Sequence, residues 1–201
     1  MRGITMSDHN LYDVFSDYKS TLKECSKDNS DPKNVKFMTE SQLEVINFDG
    51  IKTKYTNDLA LSEICAASVD ALLQMDEDLA FVEFKNGKVD KRNVKDKARD
   101  SLLMLCDLMK RTISYTREHL DFIVVYNEER NPQPNQLKKQ AVLDSPSRTA
   151  IGKYFLSKGN EELIRFDLER YEHLYFREVH TYTKAEFDKY IEEKFAGGTV
   201  S

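Results

Sequence analysis

A chain of 201 residues, 40% hydrophobic and 32% charged, has enough apolar material for one sizeable core and the composition of a water-soluble globular protein, not of a fibre or a disordered chain. Its longest apolar runs, such as Phe122 to Tyr126, are strand-sized, far short of the roughly 20 residues that a bilayer-spanning helix needs. The formal net charge of −5 argues against indiscriminate binding to polyanions, though not against a local basic face.

Met1 to Asn10 lacks the basic start and apolar stretch of a signal peptide, so a cytoplasmic location is expected. Cys25, Cys65 and Cys106 are spaced too widely for a C-x-x-C pattern and read as reduced, structural thiols. His9, His119, His173 and His180 show no pairing at metal-ligand spacing, which leaves zinc chemistry and Ser/His/Asp hydrolysis without support.

In chain order, Leu11, Val14, Phe15, Tyr18 and Leu22 recur at three- and four-residue steps and predict an amphipathic helix, with Ser7 or Asp8 as its cap. Ser26 to Lys36, with Asp31-Pro32, reads as a loop. Leu43 to Phe48 and Ile51 to Tyr55 flank Asp49-Gly50 and predict a hairpin, because Asp-Gly suits positive-φ turn positions. Ser68 to Met75 and Leu79 to Lys85 predict a second hairpin, closed by Asn86-Gly87.

From Asn93, a plausible N-cap, to His119 the positions Val94, Ala98, Leu102, Leu105, Leu108 and Met109 predict the longest helix. Phe122 to Tyr126 then reads as a central strand buried on both faces. Asn127 to Ser147 carries Pro132, Pro134 and Pro146 and predicts a long loop; helical stretches near Arg148 to Phe155 and Glu161 to Arg170 follow. A strand from Leu174 to Tyr182 leads to a last helix opened by Thr183 with Glu186 at capping-box spacing, and Ala196 to Ser201 reads as a frayed tail.

The chemistry concentrates in the second hairpin. Alternation places Asp70, Leu72 and Gln74 on one face of its first strand, and Phe81, Glu83 and Lys85 on one face of its second. If Asp76 pairs with Leu79 around a two-residue turn, Asp70 lies opposite Lys85 and diagonal to Glu83, so two carboxylates and an amine converge. A register shifted by one residue would send Asp70 to the other face.

Asp70, followed by Glu83-Phe84-Lys85 on the adjacent strand, resembles the Asp…Glu-x-Lys motif of the PD-(D/E)XK nuclease superfamily. The order of elements from about residue 40 to 127 resembles that superfamily's core as well, although Val69 stands where the family has proline. The resemblance implies an α/β fold: a restriction-endonuclease-like mixed β-sheet flanked by helices, in one domain over residues 1–201, with a C-terminal helical and strand extension. It implies Asp70 and Glu83 as ligands of Mg²⁺ or Mn²⁺, a further ligand from the Phe84 backbone oxygen, and Lys85 as the catalytic amine in hydrolysis of a DNA or RNA phosphodiester. It also implies another acid on the first core helix, for which Glu40, Glu44 and Glu63 are the candidates.

Between Lys85 and Arg99 the residues Lys88, Lys91, Arg92, Lys95 and Lys97 add to a basic run, which reads either as a phosphate-facing groove wall or as a solvated loop and first helical turns. Tyr175, Phe176, Tyr182, Phe187, Tyr190 and Phe195 suit base stacking or a core, and Arg165 and Arg170 suit phosphate contacts or surface ion pairs. Two alternatives stand beside the nuclease. One is a catalytically inactive relative that binds a basic protein partner, as an immunity or regulatory protein does; the other is a purely structural α/β protein.

Overall fold

Period-two alternation and a tight turn set the middle of the molecule. A computed structural model of the chain describes residues 11–28, 33–132 and 164–195. The elements are α1 (Leu11–Val14), β1 (Lys19–Thr21), α2 (Leu22–Cys25), β2 (Lys27–Asp28), β3 (Lys36–Phe37), β4 (Glu44–Asn47), α3 (Phe48–Asp58), β5 (Ala71–Met75), β6 (Asp78–Lys85), α4 (Lys91–Met109), α5 (Ile113–His119), β7 (Leu120–Tyr126), β8 (Val179–Thr183) and α6 (Lys184–Phe195). Six strands form one mixed sheet in the order β1-β4-β5-β6-β7-β8; β2 and β3 pair separately. From β1 to β6 the neighbours are antiparallel, and β6, β7 and β8 run parallel.

Helices flank both faces, so this is an α/β protein. Ile46, Leu72, Phe81, Phe122 and Val124 face α3 and α4, while Ala71, Leu73, Val82, Ile123 and Val125 face Phe187 and Ile191 of α6. Each large apolar side chain enclosed in this way contributes about 1.5–3 kcal/mol. β7, predicted as the central strand, is buried at every position and lies between two parallel neighbours. Among the described residues no helix is long and apolar enough to cross a membrane.

Several predicted elements take another form. The helix expected over Leu11 to Leu22 is broken: after α1 and a 3₁₀ turn at Ser16–Tyr18, β1 pairs with β4 and supplies partners to an otherwise open strand edge. The proposed caps Ser7 and Asp8 lie outside the described residues. The expected hairpin at Asp49-Gly50 is a strand followed by a helix, because the Asn47 side chain accepts from Gly50 N at 3.2 Å and caps α3. Phe48, Ile51 and Tyr55 then fall at helical spacing.

The long helix begins earlier than expected and ends sooner. Asp90, not Asn93, is its cap, accepting from Arg92 N at 2.9 Å and Asn93 N at 3.3 Å. Lys110 closes α4 in the left-handed region at φ 54°, where Arg111 N reaches back to Cys106 O. The apolar pattern runs on through α5, which hides that break from periodicity.

The last strand covers only Val179–Thr183, against the expected Leu174 to Tyr182, and it extends the main sheet beside β7. No α-helix spans 164–170; positive φ at Phe166 and Asp167 interrupts the chain before a 3₁₀ turn at Glu169–Tyr171. The capping box is present, with Thr183 N donating to Glu186 Oε2 at 2.7 Å and Glu186 N to Thr183 Oγ1 at 3.3 Å. The expected helix at Arg148 to Phe155, most of the proline-bearing loop and the tail from Ala196 lie outside the described residues.

Candidate functional site

The β5–β6 hairpin turns at Asp76 and Glu77, with Met75 opposite Asp78 and Ala71 opposite Val82. Asp76 adopts φ 54°, a conformation that Asp tolerates better than most residues. Leu79 therefore pairs with Gln74 and not with Asp76. The ladder is displaced by two residues from the expected one, which preserves the faces. Asp70, one residue before β5, comes level with Glu83, and Lys85 lies further along β6.

Helix α4 completes the site. Its side chains hold the segment leading into β5: Ala67 N donates to Asp100 Oδ2 at 2.9 Å and Val69 N to Ser101 Oγ at 2.8 Å. Lys97 projects from the same helix between the two carboxylates, 3.2 Å from Asp70 Oδ1 and 2.8 Å and 3.0 Å from the two oxygens of Glu83. Lys85 Nζ stands 2.8 Å from Glu83 Oε1 and donates to Asn93 Oδ1 at 2.9 Å. The expected trio of Asp70, Glu83 and Lys85 is thus brought together, with Lys97 as a fourth member.

Burial sets the electrostatics. The Glu83 side chain is fully buried, whereas Lys85 and Lys97 keep 20% and 19% exposure. Burial first, and Glu83 second, push the Asp70 carboxyl up to about 7 against the opposing pull of Lys97 and the Phe84 amide. For Lys97 burial works to lower the pKa, but attraction to Glu83 and Asp70 outweighs it and holds the amine above its usual value.

Oε1 of Glu83 has ion-pair contacts to both amines at 2.8 Å and, among the described residues, no hydrogen bond aligned on it. Two carboxylates on one sheet face, both drawn to cationic groups, are of the ligand type that a hard divalent cation takes.

None of the three expected helix acids reaches this cluster. Glu40 pairs with Lys23 and Glu44 with Lys19 on the sheet's outer edge, and Glu63 is exposed in a 3₁₀ turn. The helix-borne acid beside the pair is Asp49 of α3, which accepts from the Ser68 hydroxyl and helps raise the Asp70 pKa. It escapes the sequence because Asp49-Gly50 reads as a turn. Lys97 carries a fainter signal: it sits among Val94, Ala98 and Ser101 on the inward stripe of α4, where a lysine needs a carboxylate partner. A cleft of about 560 Å³ lined by Tyr18, Asp49, Gly50, Thr53 and Lys54 opens next to Asp49.

A second group, Asp121, Glu178 and His180, brings possible ligand atoms within 4.8 Å of one another. The Arg177 guanidinium already holds both Asp121 oxygens, at 2.8 Å and 2.7 Å, and also binds Asp78. Burial works to raise the pKa of Asp78, but its hydrogen bonds to His119 and Arg177 outweigh that and hold it low. This network ties together the starts of β6 and β7, away from Glu83, and its chemistry is that of a structural clamp.

No family model, curated protein or solved structure matches this chain.

Proposed function

We propose that this protein is a divalent-cation-dependent hydrolase of nucleic-acid phosphodiesters with a PD-(D/E)XK type of core. The observation that carries the reading is the convergence of Asp70 and Glu83 on one cation-sized position with Lys85 beside it. The succession β4, β5, β6, helix α4 and parallel β7 is in keeping with the restriction-endonuclease-like arrangement that the motif implies.

Asp70 and Glu83 would hold Mg²⁺ or Mn²⁺, and Asp49 adds negative charge nearby. When bound, such an ion supplies acidification of a water and offsets charge building on the phosphate. Asp70 is aimed by the Phe84 amide, which fixes Oδ2 and leaves Oδ1 turned toward Lys97 and Glu83. Lys85, at the partly open rim and steadied by Asn93, orients the attacking water or stabilises the pentavalent phosphate.

The test is cleavage of varied single- and double-stranded DNA and RNA with Mg²⁺ or Mn²⁺. Lys85→Ala abolishes cutting while metal uptake persists, and Glu83→Ala weakens the uptake itself. A second reading is favoured by one feature: two lysines already neutralise Glu83 and Asp70. In that case the fold serves as an inactive module whose net charge of −5 suits a basic protein partner. Absence of both cleavage and metal uptake selects it.

A further inference from the structure

We infer that the Lys97 ammonium and a divalent cation are mutually exclusive occupants of the Asp70/Glu83 site, so that Lys97 is an internal counter-ion that metal must displace. The inference rests on the metal-site reading above and extends it to how the site is controlled.

The first argument is position. Lys97 Nζ touches Oδ1 of Asp70 and both oxygens of Glu83 within 2.8–3.2 Å, which is the space between the two carboxylates. An ion ligated by those oxygens at roughly 2.0–2.6 Å needs the same space. Ammonium and ion cannot share it.

Charge leads to the same result. Asp70 and Glu83 face Lys85 and Lys97, so the formal charges of the enclosed set already balance. Adding a divalent ion to that set gives an excess of positive charge in a poorly hydrated site, at a heavy electrostatic cost. Withdrawing Lys97 as the ion enters halves that excess, with Lys85 still paired to Glu83.

Lys97 also has somewhere to go. It keeps 19% exposure and extends from α4 on a flexible four-carbon stem, so its amine can swing to water without moving the helix. Lys85 is held differently, with Asn93 as a second partner outside the carboxylate pair. The two lysines therefore divide the work: one stays, one yields.

The experiment is Mn²⁺ binding to the whole 201-residue chain, followed by calorimetry and by electron paramagnetic resonance of the free ion, for wild type, Lys97→Met and Lys97→Gln. Because wild type binds only from its vacated minor state, the variants bind at least about tenfold more tightly. Equal or weaker binding by the folded variants overturns the exclusion and leaves the metal site standing. Absence of binding in all three, folded, removes the metal-site reading and this inference with it.

If neither variant folds, wild type decides. Acetylation of Lys97, mapped by peptide mass spectrometry, rises several-fold as calorimetrically detected Mn²⁺ binding saturates; unchanged labelling overturns the exclusion, and no binding heat removes the metal reading.

Discussion

The Phe84 amide donates a 2.6 Å hydrogen bond to Oδ2 of Asp70, from one strand to the start of its neighbour. Because the donor is backbone, Asp70→Asn can keep the contact while losing the titration. Asp70 in the folded protein titrates near 7 against 3.8 as its ordinary value. The folded state therefore holds the extra proton, and the associated stability, present in full below about pH 4, is lost as pH rises through about 7. Urea denaturation between pH 4.5 and 7.5 checks this: wild type loses stability relative to Asp70→Asn across that window. Parallel profiles for the two proteins would show that the carboxyl is not raised.

Glu83 is the shared countercharge of two amines, so deleting it leaves Lys97 with Asp70 alone and takes from Lys85 its carboxylate partner. Glu83→Ala is expected to cost on the order of 3–5 kcal/mol in chemical denaturation. Adding Lys97→Met to Glu83→Ala recovers about 1 kcal/mol or more, since one of the two under-compensated amines is then gone. Strict additivity of the two changes would mean that the ion pair carries no coupling.

Leu105 on α4 is 1% exposed and packs over the sheet. Leu105→Ala removes that contact and leaves a cavity, for an expected loss of about 2–5 kcal/mol. A midpoint shift within error in guanidinium denaturation would contradict the packing of α4.

Gly50 stands early in α3, where alanine is ordinarily the better helix former by about 1 kcal/mol. Here a methyl group would meet the Tyr18 ring at 2.8 Å. Gly50→Ala is therefore expected to lower the melting temperature in wild type and to do so less, or not at all, in a Tyr18→Ala background. Equal effects in both backgrounds would show that the ring yields freely.

What could be read from the sequence, and what could not, divides along local and long-range causes. The hairpin that carries Asp70 and Glu83 is legible because alternation assigns faces even when the turn is misplaced: a displacement of two residues left both carboxylates on one side. Thr183 and Glu186 are legible as a cap because both halves of the interaction lie within four residues. Lys19–Thr21 is not, since its strand exists only by pairing with β4 more distant in the chain. Lys97 is hidden for a related reason. Its direction depends on where Asp90 starts the helix and on how α4 crosses the sheet.

The parallel pairing of β7 with β8 sets Phe122 beside Val179, residues far apart along the chain, whereas Asp49 through Lys97 span only neighbouring elements. Closing the larger loop is the slower event on topological grounds. During synthesis, the carboxylates and lysines can thus come together before β8 has been made. Until β8 docks, β7, apolar at every position but Asp121 and the hydroxyl end of Tyr126, presents one unpaired edge, a template for association between nascent copies. The segment most exposed to aggregation is therefore the sheet's best-buried strand.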